Sequence, residues 1–269
     1  ISMLPGTHLL IDGKNILYRA IFVRSKDSPV EVFFRIIQKS IRTANATSFH
    51  IFWDCPRNET WRRKLYPPYK ANRKESDPEI GEAIGINLQV LKKVIPVLGF
   101  RQYYCDKLEA DDLVYAFAAL FHPTDLVVLS SDHDLLQIPF RFLNARQLKP
   151  AGDFYEKPLC NPVLQKCLMG DKSDNIEGYR GIGPVRAEKM LQCPNKLHEF
   201  VSADPRTFLF NMNIVDLSLC PYQMRAQYTV LNGIQEETKF DLNAARGILG
   251  QYNMYPALHE LDWSVSNEE

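Results

Sequence analysis

The chain has 269 residues, 45% of them apolar, enough for one large domain or two modest ones with a buried core, which excludes a disordered or fibrous protein. Its 32 basic and 32 acidic residues cancel, so no global field attracts nucleic acid. No run is apolar enough to span a bilayer, the opening Ile-Ser-Met-Leu-Pro-Gly lacks the basic and apolar regions of a signal peptide, and the six cysteines show neither a CxxC pair nor zinc-ligand spacing. The expectation is a cytoplasmic protein with reduced thiols and no membrane partner.

His8 to Ile11 is a β-type run ending at Asp12 and Gly13, and Lys14 to Val23 then follows helical periodicity. Ser28-Pro29-Val30-Glu31 opens a second helix that runs to about Thr43, with Ser28 as N-cap, Pro29 at the first position and Glu31 completing a capping box. Phe49 to Trp53 is a continuous apolar strand ending at Asp54. Glu109, Asp111 and Asp112 fall in the first turn of a helix that continues to Phe121, where the helix dipole tolerates them. Leu126 to Leu129 is a further strand, ending in Ser130-Ser131-Asp132. Such continuous apolar runs suit a parallel sheet covered on both faces. After about residue 150 the strand signal fades into short helices, so a boundary falls near Phe154. Asn161-Pro162 caps one helix, Pro184 starts another, and the tail from Asp241 is partly helical and then frays.

Nine carboxylates sit in five clusters: Asp12, Asp54, Glu109/Asp111/Asp112, Asp132/Asp134 and Asp171/Asp174. Gathered at one sheet edge they would repel one another unless hard cations neutralise them, and oxygen-only ligands select magnesium, with manganese as substitute, over zinc. Each cluster alone reads as helix capping; together they need a common cause. Ligands bind beyond the carboxyl ends of the strands in open α/β sheets, where Asp12, Asp54 and Asp132 fall. Arg57 to Lys74 carries seven basic residues against the single acid Glu59. Within it Arg62, Arg63, Lys64 and Lys70 alternate with Trp61, Tyr66 and Tyr69, a pattern that grips a nucleic-acid backbone and stacks bases. Pro67-Pro68 breaks any single helix there, and the segment promises little burial of its own. Gly181-Ile182-Gly183 before a helix offers backbone amides to a phosphate, with Lys172, Arg180, Arg186 and Lys189 nearby. Cys55, beside Asp54 with no histidine close in sequence, reads as a packed thiol.

The segments LLIDGKN, FWDCP, YKANRK, LEADDL, SSDHDLLQ and GDKSDNIEGYRGIGP occur in this order between about Leu9 and Leu191. Their order and spacing resemble the 5′ nuclease, or flap endonuclease, superfamily, above all stand-alone bacteriophage 5′ to 3′ exonucleases and the 5′ nuclease domain of bacterial DNA polymerase I. The resemblance implies an α/β fold: a PIN-like catalytic core over residues 1–153, with a mainly parallel sheet and a helical arch or clamp over 57–85. Residues 154–269 would form a helical DNA-binding region with a helix-three-turn-helix element. It implies two magnesium ions, a first group of Asp12, Asp54, Glu109 and Asp111, and a second of Asp132, Asp134, Asp171 and Asp174, with Asp112 as a further acidic position whose ligation is indirect. Lys70 and Arg73 resemble residues that contact the scissile phosphate, and Tyr18 one that stacks on a terminal base, with Arg19 beside it. Gly181 and Gly183 resemble a turn that holds potassium and a DNA phosphate. The implied partner is DNA with a 5′ flap, a 5′ overhang or a duplex 5′ end, acted on by a monomer that depends on a separate polymerase for any coupling to synthesis. The short, proline-broken arch leaves threading and one-sided clamping both open. A PIN-type ribonuclease and a non-catalytic DNA-binding protein are the alternative readings.

Overall fold

The computed structural model describes residues 4–23, 25–73 and 77–254. In chain order the strands are β1 (Thr7–Asp12), β2 (Ser48–Phe52), β3 (Arg101–Tyr103), β4 (Asp125–Leu129), β5 (Ala145–Leu148), β6 (Gly170–Asp171) and β7 (Ile176–Glu177). The helices of the first half are α1 (Gly13–Phe22), α2 (Pro29–Ala44), α3 (Trp61–Leu65), α4 (Pro78–Val97), α5 (Ala110–Phe121) and α6 (Gln137–Arg141). Those of the second are α7 (Pro162–Met169), α8 (Pro184–Leu191), α9 (Pro194–Ala203), α10 (Pro205–Val215), α11 (Gln223–Gln235) and α12 (Leu242–Gln251). Among the described residues no helix is long and apolar enough to cross a membrane.

The first five strands form one parallel sheet in the order β3-β2-β1-β4-β5. Leu9 lies opposite Phe49 on one side and Val127 on the other, so β1 is central. Leu9 and Ile11 enter a core shared with α1, α2, α4 and α12, whereas Leu10 enters the opposite core with α5 and α11. Both faces are therefore covered, which is why these strands read as unbroken apolar runs. The strand order reverses at β1, with β2 and β3 added on one side and β4 and β5 on the other, and the crevice at such a switch point is where a ligand is received. A third apolar cluster joins α7, α8 and α10 to Tyr69.

Ser28 caps α2 as expected, accepting from the Glu31 amide at 3.2 Å, and Pro29 is the first helical residue. The edge strands β3 and β5 went unanticipated, because Arg101-Gln102-Tyr103 and Ala145-Arg146-Gln147-Leu148 lack a continuous apolar run. Among the described residues after 154, α11 packs under the sheet against α5, and α12 returns to α4. The basic segment after Arg57 is also not a loose arch, since Thr60, Trp61, Arg62 and Tyr69 are buried. Lys74 and the tail beyond Met254 lie outside the described residues.

Candidate metal centre and nucleic-acid cleft

Each acid at the carboxyl edge of the sheet is fixed by a local backbone requirement. Asp12 ends β1 and caps α1, accepting from the Asn15 amide at 3.2 Å and from Ser130 Oγ, at the end of β4, at 2.8 Å. Asp54 follows β2 and accepts from the amide of Ala110, the first residue of α5, at 2.8 Å, with Lys14 Nζ 3.6 Å away. Asp132 caps the 3₁₀ turn His133–Leu136 through the Asp134 amide at 2.8 Å. Asp171 accepts from the Ser173 amide at 2.8 Å and hydroxyl at 2.6 Å. Capping explains why carboxylates sit at these positions, but not why they converge.

Converge they do. Asp12, Asp54, Glu109, Asp111 and Asp132 line one cleft of about 420 Å³. Oxygens of Asp111, Asp132 and Asp134 lie within 4.8 Å of one another, as do those of Asp134, Asp171 and Asp174, so Asp134 is common to two potential cation sites. The spatial grouping thus differs from the sequence pairing, because Asp111 joins Asp132 and Asp134. All of these donors are oxygens, the set that suits a hard divalent cation.

Charge in the cleft is balanced in two ways. Burial, then the neighbouring Asp54 and Asp132, push Asp12 up to about 7. Burial and Asp134 raise Asp132 to about 6, and burial with Asp132 and Asp12 raises Asp111 well above the ordinary carboxylate range. On the other side, cations take over. Lys166 Nζ bonds both Asp134 and Asp171, the latter at 2.5 Å. Burial opposes ionisation of Asp171, yet Lys166 prevails and holds it at about 2. Burial likewise opposes ionisation of Glu109, and Lys70 and Arg62 outweigh it to hold Glu109 at about 2.

Lys70 and Arg73 are on the cleft wall, where Lys70 Nζ donates to Glu109 at 2.6 Å and Arg73 to Asp174 at 2.6 Å. Lys70 adopts φ 54°, a left-handed conformation that costs a side-chain-bearing residue energy, and its amide donates to the Asp174 carbonyl at 2.9 Å. Tyr66, Asn72, Arg73 and Asn175 stitch the Pro67-Pro68 turn to the loop at 172–175. These bonds tie the Pro67-Pro68 turn to the loop that carries Asp171 and Asp174.

Burial corrects two expected roles and agrees with the indirect one expected of Asp112. Arg62 is 3% exposed and Tyr69 4%, so neither is presented to DNA. Asp112 is fully buried, accepting from Trp61 Nε1 and, through both oxygens, from Arg62, and has no face toward the cleft. Arg63 is half-buried, while Lys64, Arg19, Lys172, Arg186 and Lys189 are exposed. Tyr18 lines the cleft beside Lys14, and Arg19 points elsewhere on α1. Cys55 is a packed thiol, pushed up to about 12 by burial and by Glu109.

The cleft extends both ways. Toward α8 lies a hollow of about 660 Å³ bordered by Lys172, Gly183 and Pro184, with Asp132 and Arg73 common to both spaces. Gly181 has φ +77°, which favours glycine, and Gly183 caps α8 with open space beside it. Toward α4 lies a groove of about 450 Å³ that shares Lys14, Tyr18, Asp54 and Arg57 with the cleft and adds Lys92 and Tyr104. Sequence reasoning missed Lys166, Lys14, Lys92 and Tyr104. Only the spacing of Lys166 from Asp171, five residues across the end of α7, hinted at its role.

Residues 7–149 match the family described as 5′-3′ exonuclease, N-terminal resolvase-like domain. The chain is 30% identical over 210 residues to a 5′-3′ exonuclease of Bacillus subtilis, covering 68% of this chain and 69% of that protein. It is 28% identical over 268 residues to a 5′-3′ exonuclease of Halalkalibacterium halodurans, covering 88% and 87%. Its fold is similar to that of a bacteriophage T5 flap endonuclease in a pseudo-enzyme-product complex with DNA and metal ions, with TM-score 0.64, 19% identity and 91% and 98% coverage. With its carboxylates gathered at the sheet's switch point and its matched segment spanning more than half of its length, the chain belongs to the 5′-3′ exonuclease family.

Proposed function

We propose that this chain hydrolyses DNA phosphodiesters from 5′ ends and near flap junctions, using two divalent cations, magnesium in preference to manganese. The observation that carries this reading is the shared cleft: five carboxylates from four different segments, walled by Lys70 and Arg73. Asp111, Asp132 and Asp134 would hold one ion and Asp134, Asp171 and Asp174 the other, with Asp12, Asp54 and Glu109 bordering them. Such ions, when bound, supply a water of lowered pKa and offset charge on the leaving oxygen. Lys70 and Arg73 are placed to face a phosphate in the cleft and to stabilise charge that develops on it.

The two extensions support a division of the DNA between them. The hollow toward α8 suits the duplex: Gly181 and Gly183 present backbone groups to a phosphate and a potassium ion, and Lys172, Arg186 and Lys189 add positive charge. The groove toward α4 suits the unpaired 5′ strand, with Lys14, Arg57 and Lys92 for phosphates and Tyr18 and Tyr104 for bases. The chain acts as a monomer and cooperates with a separate polymerase in replication or repair.

The test is a 5′-labelled flap substrate incubated with magnesium or with EDTA. Cleavage only with magnesium is expected, with mononucleotides reporting exonuclease action and junction-length products endonuclease action. Equal cleavage in EDTA would overturn the metal assignment. Preferential cleavage of a matched RNA flap would replace this reading with that of a ribonuclease.

A further inference from the structure

Arg62 belongs to the basic run, yet it is among the most enclosed charges in the protein. Its Nε donates to the Ile214 carbonyl at the end of α10 at 2.8 Å. One terminal nitrogen donates to Glu109 Oε2 at 2.8 Å and to Asp112 Oδ2 at 2.9 Å, and the other to Asp112 Oδ1 at 2.8 Å. The Trp61 ring covers the guanidinium at 4.4 Å. Asp112 is held in turn by Trp61 Nε1 at 3.2 Å and by the Glu109 amide at 3.0 Å. Three segments far apart in sequence thus meet on one planar fork, a geometry that a lysine ammonium does not reproduce.

The arrangement divides the two oxygens of Glu109. Oε2 is taken by Arg62 and by the Tyr69 hydroxyl at 3.2 Å. Oε1 takes the Lys70 ammonium at 2.6 Å and lies 3.5 Å from the Tyr69 hydroxyl, whose shorter contact is to Oε2, and Glu109 and Lys70 both line the cleft. We propose that Arg62 is a positioning residue that fixes Glu109 so that a single oxygen, Oε1, is offered to a metal ion in the cleft, with Asp112 as the anchor that holds Arg62. This assignment rests on the metal-dependent nuclease reading, and it gives the ninth carboxylate a purpose: Asp112 orients the fork and does not face the ion.

Partners that orient metal ligands typically contribute about 10–100-fold to metal affinity. The test titrates manganese into the DNA-free protein by calorimetry, and measures DNA binding in EDTA by fluorescence anisotropy. Arg62→Lys is expected to weaken manganese binding about tenfold while DNA affinity in EDTA stays within about twofold. Tyr69→Phe, which keeps the ring packing and removes a hydroxyl whose shorter contact is to Oε2, is expected to shift manganese binding in the same direction by less. The expected magnesium midpoint for cleavage rises in parallel. Three outcomes overturn the proposal. A loss of DNA affinity with a salt slope shallower by about 0.9, at unchanged manganese binding, makes Arg62 a phosphate contact. A lowered Tm with unchanged manganese binding below that temperature makes it a packing residue only. Unchanged manganese binding in a folded Tyr69→Phe protein removes the second holder of Oε2 and with it the single-oxygen geometry. Wild-type protein that binds no manganese would instead refute the nuclease reading itself.

Discussion

The ammonium of Lys70 donates to Glu109 Oε1 at 2.6 Å, which joins a residue placed to meet a phosphate with one placed beside a metal ion. A phosphate entering the cleft competes for that ammonium. Because Lys70 has φ 54°, alanine there keeps the backbone strain that lysine already bears, whereas asparagine tolerates the left-handed region. Lys70→Asn is therefore the cleaner variant, expected to lower kcat by about 10²–10³. Single-turnover cleavage measures it, with Tm as control, and full activity in a stable variant would remove Lys70 from the chemistry.

Magnesium should stabilise the protein more as pH rises. Asp12, at about 7, and Asp132, at about 6, hold protons more tightly when folded than their ordinary value of 3.8 allows. That contribution is complete below about pH 4 and is lost as pH climbs through 6 and 7. Cations bound to the same carboxylates displace the protons and restore stability. The rise in Tm on adding magnesium is expected to be small at pH 5.5 and larger at pH 8, measured by scanning fluorimetry. Equal increments at both values would contradict the raised carboxylates.

A second, opposite pH effect lies under the sheet. Tyr103 Oη contacts His50 Nδ1 at 2.8 Å, His50 Nε2 contacts His8 Nδ1 at 2.9 Å, and His8 Nε2 contacts the Pro5 carbonyl at 3.2 Å. With neutral rings the whole row is satisfied, each group donating to the next. Burial lowers both histidines; His8 adds to this for His50, while the Pro5 carbonyl partly opposes it for His8. Protons taken up by the unfolded chain below pH 6.5 therefore reduce stability as pH falls. Imidazole nitrogen shifts followed through a pH titration should show both rings charging below the ordinary imidazole value, His50 further below it than His8, and a ring that charges at or above that value would refute the row. Tyr103→Phe, which leaves His50 Nδ1 without its donor, should cost about 1–3 kcal/mol in urea unfolding at pH 7.5.

The groove toward α4 makes a substrate-specific prediction. Tyr104 is 44% exposed, with Lys92 5.7 Å from its ring, so its face is available for stacking. Tyr104→Ala is expected to raise KM for a flap substrate about tenfold, the value of one base–aromatic stack. A duplex with a recessed 5′ end, which sends no strand into the groove, should be cleaved as by wild type. An equal effect on both substrates would place the unpaired strand elsewhere.

Legibility in the sequence followed burial. The central strands β1, β2 and β4 are apolar on both faces and end in Asp12, Asp54 and the Asp132 turn, so sheet and acidic edge were readable together. The edge strands β3 and β5 carry Arg101, Gln102, Arg146 and Gln147, and no run announced them. Arg62 and Tyr69 sit in a segment with the composition of a solvated surface, and their burial depends on Glu109 and Asp112, about forty or more positions downstream. Lys166 escaped notice for the same reason: its partnership with Asp134 spans 32 residues and depends on how α7 docks.

Lys166 and the raised carboxylates have a joint consequence for how the centre fills. On the Asp134–Asp171 side a tethered ammonium already balances the charge, so an arriving ion must evict it, and occupancy there responds to competition between cations. On the side of Asp12 and Asp132 the balance is kept by protons, so occupancy responds to acidity. The two halves thus keep their charge in check by different means, a lysine on one side and protons on the other, and they meet at Asp134.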